Sequence, residues 1–185
     1  MDVLVGGGVI GRAAQPPHTS IPIYFSNPDL LWANEHPTPR FGQGAFKAAL
    51  EGLYLQLTGL PLPHVRVFGK PNPEPYRLAE ALLLKQWQGM GHHQVGRSRH
   101  HIQVATRLPF SAIYAIGDNP AADVRGANAA GGPWVSVLVH TGVFQPTEGV
   151  NNCQRDPAQI VVSDVDAAVA AALHRQRSMG WHALR

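Results

Sequence analysis

Apolar and polar positions follow one another along the chain in runs whose period changes several times. Phe46, Ala49, Leu50, Leu53, Tyr54 and Leu57 recur at i, i+3, i+4, i+7, i+8 and i+11. That spacing predicts an amphipathic helix, closed by Gly59 and Pro61. Shorter apolar runs flank it. Residues 21–25 end in the turn-forming Ser26-Asn27-Pro28-Asp29, residues 64–68 end in Gly69-Lys70-Pro71, and both predict strands. Pro75 suits the first turn of a second helix over Tyr76 to Trp87. Residues 112–116 are almost unbroken in apolar character, as a strand buried on both faces requires. A helix over 121–130, a strand over 134–139 and a short strand at 160–162 follow. Ser163 predicts the cap of a last helix, with Asp164 and Asp166 at its positive end and His174, Arg175 and Arg177 at its negative end. Strands alternating with helices predict an α/β layered fold with a largely parallel sheet. Residues 88–109 break the pattern, being rich in glycine and histidine without a period, and read as a surface insertion.

The amino-terminal GGGVIG invites a different reading. Gly6, Gly8 and Gly11 have the spacing of a dinucleotide-binding turn, Val3 to Val5 could supply its strand, and Asp29 could meet a ribose. The helix that must follow cannot form, because Pro16-Pro17 interrupts it. The stretch reads as a glycine-rich turn.

Composition narrows the classes. The 185 residues are 44% hydrophobic and 15% charged, which suits a globular chain of one or two small domains. A net charge of +3 without a dense basic stripe gives no nucleic-acid-binding pattern. Cys153 is the only cysteine, so a disulfide framework and a thiolate metal cage are excluded and a reducing compartment is expected. Cys153 lies in the polar stretch NNCQRD with nothing to mark it as a nucleophile. No apolar run approaches the roughly 20 residues of a membrane-spanning helix, and no membrane partner is expected. The first residues have neither signal-peptide nor transit-peptide character. His92, His93, His100 and His101 form two adjacent pairs, but neighbours in sequence point apart and no acid or cysteine lies between 88 and 109. They read as part of a solvated basic loop with Arg97, Arg99 and Arg107, not as a zinc site.

Chemistry concentrates where parallel strands end, since open α/β sheets bind ligands at their carboxyl edges. Asp118, directly off a buried strand, suits a hard divalent cation, which takes carboxylate oxygens and keeps several waters. Asp123 follows five residues on and can turn back to the same loop. Lys70 adds a fixed positive charge suited to a phosphoryl group. Singly, Asp118 could cap a helix, Asp123 could serve a helix dipole and Lys70 could be solvated. Together, at successive strand ends, they favour a metal and phosphate site.

VFGKPNPEPY, followed downstream by YAIGDNPAADVRGANAAG, resembles the third and fourth motifs of the haloacid dehalogenase (HAD) superfamily. SNPDLLWANEHPTPRFGQGAFKAALE is similar to the subclass with a large α/β cap, and within it to the cat-eye-syndrome-critical-region-protein-5-like hydrolases, a mitochondrial group. The resemblance covers residues 21–80 and 111–145. It implies a HAD-like, Rossmannoid three-layer core in its carboxyl-terminal part, preceded by the end of an α/β cap. Residues 1–63 would belong to the cap and 64–185 to the core, with the insertion at 88–109. It further implies a Mg²⁺-dependent phosphohydrolase of small phosphorylated metabolites. Lys70 would be the motif-three lysine and Asp118 a direct Mg²⁺ ligand, while Asn119 and Asp123 would order the loop and the metal-bound water. Asn27, Asp29 and His36 would be cap contacts to substrate, although Asn27 and Asp29 are also what a turn around Pro28 wants. A mitochondrial location is implied, with the cytoplasm as the alternative.

One departure matters. Family members attack phosphate with an aspartate in an amino-terminal DxDG-type motif and use a second aspartate there as acid/base. The only Asp-x-Asp in this sequence is Asp164-Val165-Asp166, at a helix start and without a following glycine. The chain is therefore expected to correspond to the later part of such an enzyme, holding half an active site and inactive alone. The alternative is a non-catalytic interaction module that reuses the fold, with self-association through the cap or an exposed sheet edge.

Overall fold

A computed structural model describes residues 2–6, 21–90 and 108–178. It divides into two compact units, Met1–Asn72 and Pro73–Arg185. The histidine pairs and most of the glycine-rich turn lie outside the described residues. So does most of the 88–109 insertion, although helix continues as far as Gly89.

In the first unit α1 (Asp2–Gly6) is a single short helix, where the sequence suggested a strand over Val3 to Val5. Three apolar residues carry no period, so they do not separate the two. Strand β1 (Ile23–Phe25) leads into a short antiparallel pair, β2 (Leu31–Trp32) with β3 (Arg40–Phe41), and then into α2 (Gln43–Thr58). Strand β4 (Val65–Val67) returns parallel to β1, with Ile23 opposite Val65 and Phe25 opposite Val67. Parallel neighbours need a crossover, and α2 supplies it. Because β4 pairs with β1, it belongs to this unit rather than to the one that follows.

Helix α2 ends at Gly59, which takes a left-handed conformation (φ 71°) and donates its N–H to the Leu55 carbonyl. Its apolar stripe is less buried than the period suggests. Tyr54 is buried and Leu50 half-buried, but Phe46, Leu53 and Leu57 are exposed. Two strands form too narrow a sheet to cover a full helical stripe.

The second unit is a small three-layer sandwich. Helix α3 (Glu74–Gly89) precedes β5 (Ile113–Gly117); one π-helical turn (Pro120–Val124) and α4 (Arg125–Ala130) then lead to β6 (Trp134–Val139). Strand β7 (Ile160–Val162) and α5 (Val165–Ser178) complete it. The sheet is parallel in the order β5-β6-β7, and all six residues of central β6 are buried. Its alternate residues serve opposite layers. Trp134 packs with Tyr76, Ile113 and Ala127 on the side of α3 and α4, while Val137 and Val139 pack with Ala168 of α5. Among the described residues no helix is long and apolar enough to cross a membrane.

Asp164, not Ser163, caps α5. Asp164 Oδ1 accepts the Ala167 N–H at 2.9 Å, and the Ser163 hydroxyl donates to Asp164 Oδ2 at 2.8 Å. Two cap-competent residues stand side by side here, and the carboxylate wins because it takes both bonds. This also commits the Asp-x-Asp segment to a structural task.

Arg125 at the start of α4 grips Asp156, in the loop before β7, through two parallel bonds of 2.8 Å. That fork holds the Asp156 carboxyl below its usual range. A carboxyl depressed in the folded state stabilises above its unfolded pKa and loses that contribution as pH falls through the folded value. The urea midpoint is therefore expected to be level above about pH 5 and to drop below about pH 4. Asp156→Asn should start from a lower midpoint at neutral pH and show a shallower acid drop. An unchanged midpoint at both pH values would dismiss the pair as a contributor.

Candidate active site

The apolar run of β5 stops at Gly117, and Asp118 is the first polar residue beyond its carboxyl end. Asp118 is fixed twice by the loop after β6. Its Oδ2 accepts the Val143 N–H at 2.6 Å, and its carbonyl accepts the Phe144 N–H at 3.0 Å. No hydrogen bond occupies the other carboxylate oxygen among the described residues. A Cβ on Gly142 would overlap Asp118 Oδ2 and lie 2.5 Å from its Cγ, so the approach of this loop depends on glycine.

Asn119 caps the turn that follows: its Oδ1 accepts the Ala121 N–H at 3.1 Å, and its carbonyl accepts from the N–H groups of Ala122 and Asp123. Asp123 is 7% exposed and bends back, its Oδ2 accepting the Asn119 N–H at 3.0 Å. The two residues thus close a reciprocal loop, in which Asn119 binds the backbone at 121–123 and Asp123 binds the backbone at 119. The expected helix over 121–130 accordingly opens with a π turn, a distortion frequent at functional sites.

Beneath this turn stands Tyr76 of α3. Its hydroxyl donates to the Asp123 carbonyl at 3.1 Å and reaches the Ala122 carbonyl at 3.5 Å. Its ring meets Trp134 edge-on with centroids 5.1 Å apart. Burial first, and then the nearby Asp123 carboxylate, push the phenol up to about 12. A Cβ on Gly126 would overlap the Tyr76 hydroxyl and lie 2.6 Å from ring carbons Cε2 and Cζ. Tyr76 and Gly142 carry no acid, base or metal-ligand signature, so residue chemistry alone does not select them. Gly142 could have been suspected only from its place just after β6.

The structure therefore brings Asp118, Asn119 and Asp123 into one loop of the second unit, whereas Lys70, Asn27, Asp29 and His36 belong to the first. In that unit Lys70 follows Gly69, a residue at φ 82° whose Cβ position would be 2.7 Å from the Ser26 carbonyl. The Gly69-Lys70 and Ser26-Asn27 segments thus share the carboxyl end of the β1/β4 pair. Asn27 makes the turn around Pro28, its Oδ1 accepting the Asp29 N–H at 3.1 Å. Gln43 Oε1 accepts from the Ser26 hydroxyl and the Asn27 N–H, and the Asp29 carbonyl accepts the Gly44 N–H, which ties the turn to the start of α2. His36 lies elsewhere, between β2 and β3. There Trp32, Asn34, Glu35, Arg40 and Phe41 help it line a groove of about 790 Å³.

Whether these residues fit a cation is decided by the donor set. Asp118 presents one carboxylate oxygen with its partner oxygen pinned, and among the described residues no group of three His, Cys, Asp or Glu side chains forms a cage. That set suits Mg²⁺, which takes one or two carboxylates and keeps its waters, and does not suit a structural zinc.

A HAD-hydrolase-like family model matches residues 67–168, more than half of the chain. A mitochondrial hydrolase of Saccharomyces cerevisiae is 39% identical over 161 residues, which cover 84% of this chain and 44% of that protein. A cardiolipin synthase (CMP-forming)/mitochondrial hydrolase fusion protein of Schizosaccharomyces pombe is 40% identical over 138 residues, covering 75% of this chain and 20% of that one. Among solved structures, a possible sugar phosphatase of the HAD superfamily from Cytophaga hutchinsonii superposes with a TM-score of 0.51 at 17% identity, over 77% of this chain and 41% of that one. The last likeness bears on the fold alone. The chain spans less than half the length of the curated relatives it matches.

Proposed function

The chain belongs to the HAD-hydrolase-like family, and from that premise we propose that it supplies the cation-and-lysine half of a Mg²⁺-dependent phosphomonoesterase for a small phosphorylated metabolite. The observation that carries this reading is the Asp118 carboxylate at the end of β5, pinned through one oxygen and open at the other. Asp118 would hold Mg²⁺ through that open oxygen, and Asp123 and Asn119 keep the loop in shape around it. Bound there, Mg²⁺ would neutralise charge on a phosphoryl group. By the family resemblance Lys70 would give a fixed positive charge to phosphoryl oxygens, and Asn27, Asp29 and His36 would be contacts to substrate. The groove at His36 has two exposed aromatic rings beside Glu35 and Arg40, a lining that suits a substrate with an apolar face and polar groups. Its relatives' names support a mitochondrial location.

The chain carries no Asp-x-Asp free to act as nucleophile, since Asp164 is a helix cap. General acid–base work and nucleophilic attack are each worth orders of magnitude, and the residues present replace neither. Purified alone, the folded chain is expected to leave p-nitrophenyl phosphate at the buffer rate with Mg²⁺ present. Fused to the part of the S. cerevisiae relative that lies outside the match, it is expected to hydrolyse it. Turnover by the unfused chain that Asp118→Asn abolishes would reveal a nucleophile within these residues. A folded but inert fusion would favour the interaction-module reading instead.

A further inference from the structure

We propose that the Gly142-Val143 step is a positioning element for the metal-binding carboxylate: the Val143 N–H fixes Asp118 so that its free oxygen faces the cation. The inference rests on the Mg²⁺ reading above and adds to it two residues with no metal-binding chemistry of their own.

An aspartate on a strand end has two side-chain torsions and two equivalent oxygens, so an unrestrained Asp118 would present either oxygen over a wide arc. The 2.6 Å bond from Val143 to Oδ2 selects one oxygen for the protein and leaves the other for a ligand. A second bond, from Phe144 N–H to the Asp118 carbonyl, holds the loop and the strand end at a fixed distance. The loop can come this close only because residue 142 has no side chain: a Cβ there would overlap Oδ2 and sit 2.5 Å from Cγ and 2.8 Å from Cβ of Asp118. An alanine at 142 has one inexpensive escape, since the atom it strikes is the tip of a side chain. Rotation of Asp118 away relieves the overlap, and it breaks the Val143 bond and moves the free oxygen. The substitution therefore acts on carboxylate aim more than on the fold. Partners that orient a metal ligand from behind typically contribute 10- to 100-fold to metal affinity.

The test uses the whole chain and Mn²⁺ alone as the probe, with free Mn²⁺ followed by electron paramagnetic resonance and folding by circular dichroism. Gly142→Ala is expected to weaken Mn²⁺ binding by about 10- to 100-fold. Gly52→Ala, on an open face of α2 with nothing within 4 Å of the added carbon, is the control for substitution itself. Should Gly142→Ala fail to fold, the wild-type chain still decides the matter. The ¹⁵N–¹H signal of Val143 is expected to move when Mg²⁺ is added, and to stay still in Asp118→Asn. Wild-type affinity in a folded Gly142→Ala, or a Val143 signal indifferent to bound Mg²⁺, would overturn the proposal while leaving the metal reading intact. Absence of Mn²⁺ binding by the wild-type chain would overturn both.

Discussion

Asp118→Ala is expected to lower Mg²⁺-dependent hydrolysis of p-nitrophenyl phosphate on the order of 10³-fold in the chain completed by the unmatched part of its S. cerevisiae relative. The size follows from what the residue does. Asp118 stands at the end of β5 with one carboxylate oxygen bonded to the Val143 N–H, while the other acid of the loop, Asp123, is 7% exposed and bonds the Asn119 N–H. Among the described residues no group of three His, Cys, Asp or Glu side chains offers an alternative cage for a cation. The loss should fall mainly on kcat, because the charge it brings matters most where negative charge concentrates on the phosphoryl group. Lys70→Met is expected to lower the rate in the same assay by on the order of 10²-fold, and by the same logic. A fall of only a fewfold for Asp118→Ala would mean that this carboxylate is not the metal ligand.

The second large effect is on stability. Tyr76→Ala is expected to destabilise the second unit by about 3–5 kcal/mol, the usual cost of emptying a buried aromatic site. The ring is 6% exposed, meets Trp134 edge-on, and sends its hydroxyl to the carbonyls of the π turn. Gly126 presses against the same ring, so that small movements cannot refill the hole. Tyr76→Phe, which keeps the ring and loses the hydroxyl bonds, should cost about 1 kcal/mol. Urea titration of the three proteins measures both steps. Equal losses for the two variants would place the stabilisation in the hydroxyl and not in the packing.

How much of this was legible beforehand depends on what kind of atom carries each role. Strands β5, β6 and β7 showed themselves as apolar runs because a parallel sheet covered on both faces needs them. Asp118 stood out because a carboxylate directly after such a run, with Asp123 and Lys70 also at strand ends, favours a cation and phosphate site over a helix cap. The pair β2 and β3 did not, since two-residue strands are too short to display a period. The exposure of Leu53 and Leu57 was equally hidden: a helical stripe records which face is apolar, not how wide a sheet lies against it. Ser163 and Asp164 were both competent caps, and only the bond geometry separates them. Gly142 and Val143 left the least trace. One acts through an absent side chain and the other through a backbone N–H, and neither is written in residue chemistry.

The most direct measurement is isothermal titration of Mg²⁺ into the folded chain, beside Asp118→Asn. The account predicts one saturable site in the wild-type chain and its loss, by at least about 10-fold in affinity, in the variant. Equal binding by both proteins would place the cation elsewhere, and no binding by either would remove the metal half of the proposed phosphatase.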